Sequence, residues 1–182
     1  MVDSRPDAPL DHWISKLINA RETDHSRRSS VRVPRLRPGA SVADVDALET
    51  RAGFALPADY RELLLLSDGI DDFYFSMHLL STQDWPDGPK IREALGVREA
   101  YEDLLDELAI ANAPEDLFPI AGGAGTNAIF LANPTGRVAP GPIIWLEHSD
   151  VRCFRDMPDL FDCQADEVAY DRAGKALDFP IH

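Results

Sequence analysis

The stretch Leu36–Ile70, LRPGASVADVDALETRAGFALPADYRELLLLSDGI, decides the fold. It reads as two helices joined by a stiff corner. Ser41 stands where an N-cap belongs and Asp44 follows three residues on, a capping-box-like start. Val42, Val45 and Leu48 then recur on one helical face, and Gly53 can take the positive φ that ends a helix. Pro57 suits the first position of a second helix, where its missing N–H is harmless. Asp59 in that first turn is favoured by the helix dipole. Tyr60, Leu63, Leu64 and Leu66 supply a buried stripe, and Gly69 supplies the next stop.

Outward from this corner, Leu10, Trp13, Ile14, Leu17 and Ile18 mark an amphipathic helix over residues 9–21 with Asp11, Ser15, Lys16 and Asn19 on its wet side. Between the two lies ETDHSRRSSVRVPRLRPG, carrying five arginines from Arg27 to Arg37. These either grip a phosphate or an acidic surface, or lie against the protein's own acidic body. The second reading is favoured, because no aromatics interleave them for base stacking.

Beyond the corner, alternation of Phe73, Phe75, Met77 and Leu79 predicts a strand over 73–80. STQDWPDGPK reads as a loop, and Arg98–Ala111 as a helix with Tyr101, Leu104, Leu105 and Leu108 inward. Leu117–Ala121, Asn127–Ala132 and Pro142–Glu147 read as strands separated by Gly, Pro and Asn turns. A short helix around Met157–Cys163 precedes a polar tail. The order implies α+β with a mainly antiparallel sheet packed with helices, plus the extra N-terminal amphipathic helix.

The pattern Glu49-x-x-x-Gly53-x-x-Leu56-Pro57-x-x-Tyr60-Arg61, with Asp68-Gly69 after a Leu-rich run, resembles the opening of the SUKH superfamily (Smi/Knr-like domains). That family takes its name from a yeast cell-wall regulator and is common among bacterial immunity proteins. LFPIAGGAGTNAIFLAN, GPIIWLEHSD and FRDMPDLFDC resemble its later strands and short helix, so the likeness covers roughly residues 36–165. It implies a SUKH-like domain over 36–182; residues 1–35, the helix and Arg-rich connector read above, fall outside it. Glu49, Gly53, Leu56, Pro57, Tyr60 and Gly69 are its signature positions.

The 182 residues suit one domain and carry a formal charge of −14. Residues 1–40 hold eight Lys/Arg and five Asp/Glu, or +3, whereas the rest holds ten against twenty-seven, or −17. A body this acidic repels phosphate backbones and attracts basic proteins, or else the charge only keeps the chain soluble. Cys153 and Cys163, ten residues apart, lack metal-finger spacing and read as free thiols. The N-terminus lacks a secretory layout and no apolar run approaches membrane-spanning length, so a soluble cytoplasmic protein is expected.

No constellation for catalysis, a cofactor or a metal emerges. Ala121–Thr126 is Gly-rich but lacks the Gly-Lys-Ser/Thr ending and a following helix, so a hairpin turn is expected. Ser67–Asp72 falls short of a calcium loop. His12, His25, His78, His148 and His182 show no ligand spacing. Glu147-His148-Ser149-Asp150 holds triad-type residues that cannot converge from one strand, and reads as a turn. Glu102, Asp103, Asp106 and Glu107 place like charges around one helix, either to meet a basic partner or as a solvated face. Trp85 in its polar loop is either a binding anchor or a cap on the core edge.

The expected function is therefore non-enzymatic: a protein-binding module. The resemblance implies an immunity protein that binds and neutralises a cognate toxin domain, and the acidity suits a basic toxin such as a nuclease. The alternative is a regulatory scaffold of the cell-wall-regulator type. Asp71, Asp72, Trp85, Asp87, Asp103, Asp106 and Glu107 form the expected contact surface, with no direct nucleic-acid or membrane partner.

Overall fold

The computed structural model describes residues 9–108, 116–123, 125–134, 141–148 and 150–174. In chain order the helices are α1 (Leu10–Arg27), α2 (Val42–Ala52), α3 (Ala58–Leu66), α4 (Pro89–Ala100), α5 (Glu102–Glu107), α6 (Met157–Ala165) and α7 (Glu167–Arg172). The strands are β1 (Arg35–Leu36), β2 (Ile70–Tyr74), β3 (Met77–Leu79), β4 (Leu117–Gly122), β5 (Asn127–Ala132), β6 (Ile143–Glu147) and β7 (Asp150–Phe154). They form one antiparallel sheet in sequence order, β1 to β7, so the fold is α+β with an added N-terminal helix.

The helical corner follows from its side chains. Ser41 and Asp44 close a capping box at the start of α2, and Gly53 ends that helix at φ 77°. Glu49 then reaches across the corner. Its Oε1 accepts from the Leu56 N–H at 3.0 Å and its Oε2 from Arg61 at 2.8 Å, while Arg61 also donates to Asp46. Pro57 stands at the N-cap of α3, one residue outside the helix. The signature Glu49, Leu56, Pro57 and Arg61 is thus one bracket. Replacing Glu49 by alanine is expected to lower stability by about 2 kcal/mol, because the buried Leu56 N–H loses a charged acceptor. Urea unfolding measures it, and an unchanged midpoint would refute the bracket.

Strand alternation serves two cores. In β5, Ile129 and Leu131 face one side while Ala128, Phe130 and Ala132 face the other; in β6, Ile143 and Trp145 oppose Ile144 and Leu146. A bulge between Pro119 and Ala121 turns both Ile120 and Ala121 to the first side. That side is covered by α1, α2, α3, α6 and α7, the second by α4 and α5. Burial on both faces explains why these strands are apolar throughout. Leu10, Ile14 and Leu17 of α1 lie in the first core, and Lys16 pairs with Asp162 of α6.

Several local expectations change. The strand read over 73–80 is a hairpin, because the chain reverses at Phe75–Ser76; alternation survives the turn, but Phe75 points outward. The helix read from Arg98 begins at Pro89, pauses at Tyr101 and resumes as α5, and residues 109–111 lie outside the described ones. The stretch read as a loop contains a 3-10 turn at Thr82–Asp84 and gives its last two residues to α4. Strands β1 and β7 and helix α7 are additions, and α1 runs six residues past Arg21. Val42 and Leu66, read as inward, are exposed at the rim of their helices.

Candidate functional site

The residues expected to meet a partner fall in three places. Asp71 and Asp72 lie in β2, where the connector crosses the sheet edge. Arg37 holds Asp71 with two hydrogen bonds, Nη2 at 2.5 Å and Nε at 3.3 Å. Arg32 donates to Asp72 at 2.8 Å and Arg35 pairs with its other oxygen at 3.5 Å. Three of the five connector arginines therefore lie against the protein's own carboxylates. Asp68, from the same acidic run, accepts from the backbone and hydroxyl of Thr82. The run staples connector, sheet and 3-10 turn together.

The Arg37 hydrogen bond lowers Asp71 to about 2, against partial burial and with help from the Arg37, Lys90 and His78 charges. The folded value lies below that of a free carboxylate, so as pH falls the unfolded chain takes up this proton first. The resulting stability is complete above about pH 4 and is lost as pH drops towards 2. Asp71→Asn is expected to be less stable at pH 7 and to lack this part of the acid transition. Urea midpoints at pH 7, 4 and 2.5 test it; parallel profiles for the two proteins would count against the pairing.

Trp85 is half-buried and stacks on Phe118 with ring centroids 4.1 Å apart and planes 2° apart, so it closes the edge of the first core. Asp87 beside it is exposed, and its carbonyl accepts from Arg92. Asp103, Asp106 and Glu107 are exposed on α5, at the far end of α4 from Asp87; twelve residues of helix span about 18 Å. Among the described residues, none of these three carboxylates has an ion-pair partner. The expected surface is therefore not one contiguous patch.

A feature the linear pattern did not disclose lies on the first side of the sheet. A groove of about 480 Å³ runs between the C-terminal half of α1, the β2–β3 turn and the α6–α7 junction. Its floor includes Tyr74 and Gln164, and Arg21 both donates to Gln164 at 3.2 Å and lies over the Tyr74 ring. Burial, together with a hydrogen bond to Glu147, raises the Tyr74 hydroxyl well above the usual tyrosine range. Burial likewise pushes the Cys163 thiol up to about 12, so this sulfur is neutral and a poor nucleophile. Neither Cys153 nor Cys163 is in a disulfide, and both are buried. Among the described residues no three His, Cys, Asp or Glu side chains are grouped to hold a metal, and no helix is long and apolar enough to cross a membrane.

A meandering antiparallel sheet, covered on both faces and entered through a Glu49-braced Leu-Pro corner, defines an α+β module of the SUKH type. Residues 39–162 match the SMI1 / KNR4 family (SUKH-1), and the chain belongs to that family. No curated protein matches the chain.

Proposed function

We propose that this chain is an immunity protein that binds a cognate toxin domain and blocks it by occupation rather than by catalysis. SUKH family membership supports a binding role. The observation that carries the rest is the distribution of charge: three of the five connector arginines, Arg32, Arg35 and Arg37, are engaged internally, while Asp103, Asp106 and Glu107 stand exposed on a body of −17. Such a surface accelerates capture of a basic protein and competes with the phosphate backbone for it, which suits a nuclease toxin acting in the cytoplasm.

Affinity capture from the native cell, with products of adjacent genes included, tests this. One stoichiometric partner bearing a toxic domain, inactive in the complex, is the expected result. Several substoichiometric partners whose activities persist would replace it with the scaffold reading. With the partner in hand, association should slow at least tenfold between 10 and 300 mM salt, because exposed charges are screened beyond roughly 8–10 Å at physiological ionic strength. Salt-independent association would remove the acidic surface from the mechanism.

A further inference from the structure

We propose that the groove between α1, the β2–β3 turn and the α6–α7 junction seats the partner, and that its occupant is a partner segment with an apolar side chain flanked by lysine or arginine. This deepens the binding reading above and rests on it.

Phe75 is the first argument. It occupies a two-residue hairpin turn, between the paired Tyr74 and Met77, at φ 50°. Turn chemistry favours Gly, Asn or Asp there, since a side chain at positive φ crowds its own backbone. The ring is 62% exposed, and its ring contact is edge-on to Tyr74, with centroids 4.6 Å apart. An aromatic residue held out of the core in a disfavoured conformation gains little for folding. Strained positions of this kind cluster at functional sites, and a solvent-facing aromatic ring is suited to anchor a partner.

Val168 is the second. It lines the same groove from the first turn of α7 and is 57% exposed. Two apolar side chains thus flank a cleft large enough to take one or two partner side chains.

Charge identifies the occupant. Asp24, Asp166 and Glu167 line the groove against Arg21, which Gln164 and Tyr74 already engage. Arg152 pairs with one oxygen of Glu167, and Glu167 stays half-exposed. The net lining is acidic, which disfavours phosphate and anionic lipid and favours cationic side chains beside the apolar anchor. The α5 carboxylates lie on the other side of the sheet and offer no exposed large apolar residue among those described. They act on the rate of encounter, whereas a desolvated anchor acts on residence.

The test uses Phe75→Asn, which suits the turn geometry, and Val168→Asp, on the full chain. Phe75→Asn is expected to unfold no earlier than wild type while the Kd for the captured toxin-domain partner rises at least 30-fold, mostly through faster dissociation. Asp103→Lys with Asp106→Lys and Glu107→Lys should change the association rate and leave dissociation within threefold. Unchanged dissociation in both groove variants, or its loss in the α5 variant alone, overturns the assignment. If no stoichiometric partner exists, the immunity reading fails separately, and random 12-residue peptides displayed on phage become the probe. Peptides pairing an apolar residue with Lys or Arg, retained by wild type and lost on the groove variants, would still establish the site. Equal retention, or none, rejects it. A dimer of this chain abolished by Phe75→Asn also rejects it, because the occupant would then be a second copy.

Discussion

Gly39→Ala is expected to unfold the protein or leave it barely folded. A Cβ built on Gly39 falls 2.0 Å from the Leu65 carbonyl oxygen and 2.9 Å from the Leu65 carbonyl carbon. Both are backbone atoms inside a helix, so no side chain can swing aside. The connector is held at this distance by hydrogen bonds on both flanks: Ala40 N–H to Leu64 O at 2.8 Å, and Asp68 N–H to Pro38 O at 3.0 Å. The first also caps a carbonyl in the last turn of α3. Making room for a methyl group requires a shift of more than 1 Å and breaks one or both bonds. Overpacking contributes up to about 3 kcal/mol and two lost hydrogen bonds about 1 kcal/mol each, out of roughly 5–15 kcal/mol in all. Urea unfolding followed by circular dichroism measures the loss. A variant within 1 kcal/mol of wild type would mean that the connector does not ride on α3 as described.

That same contact shows why some of the molecule was legible in the sequence and some was not. The α2–α3 corner, β4, β5 and β6 were readable because their determinants are neighbours: Ser41 with Asp44, Gly53 after the helix, apolar runs bounded by turn residues. Strand β1 has two residues and no period to detect. Strand β7, with Asp150 and Arg152, is a polar edge strand whose alternation is weak. Six-residue α7 is too short for propensity to specify and depends on burying Tyr170. The hairpin at Phe75 was hidden because a phenylalanine stands where a turn residue belongs.

The candidate site divides in the same way. That Arg32, Arg35 and Arg37 face the protein's own acid was readable as an electrostatic preference, but their partners Asp71 and Asp72 lie 34 to 40 residues on. Composition cannot show which carboxylates are consumed this way and which, like those of α5, remain exposed. The groove assembles Arg21, Tyr74 and Glu167 from three distant segments. No local pattern encodes such a convergence; only the packing of α1 onto α6 creates it.

Asp159→Ala is expected to have the second largest effect, about 3–5 kcal/mol, and to reach the groove as well as the core. Asp159 lies in the first turn of α6 and is fully buried. Its Oδ2 accepts from the Arg155 N–H at 3.1 Å and from Arg155 Nε at 3.4 Å, and it also hydrogen-bonds the Tyr170 hydroxyl of α7. Alanine would leave the Arg155 N–H and the buried Tyr170 hydroxyl without this acceptor beside a new cavity, and a buried polar group so deprived costs about 1–3 kcal/mol, whereas the exposed Arg155 guanidinium can turn to water. Asp159→Asn keeps one acceptor and should lose only about 1–2 kcal/mol. Tyr170→Phe removes the donor together with its need and should lose less still. A double-mutant cycle between Asp159→Asn and Tyr170→Phe should give a coupling of about 0.5–3 kcal/mol. Because this carboxylate joins α6 to α7, its loss frees the junction that carries Asp166, Glu167 and Val168. Partner affinity should therefore fall in Asp159→Ala under conditions where the protein remains mostly folded, and Phe75→Asn should add little on top. Independent, additive losses would show that Asp159 supports only the core and that the groove wall stands without it.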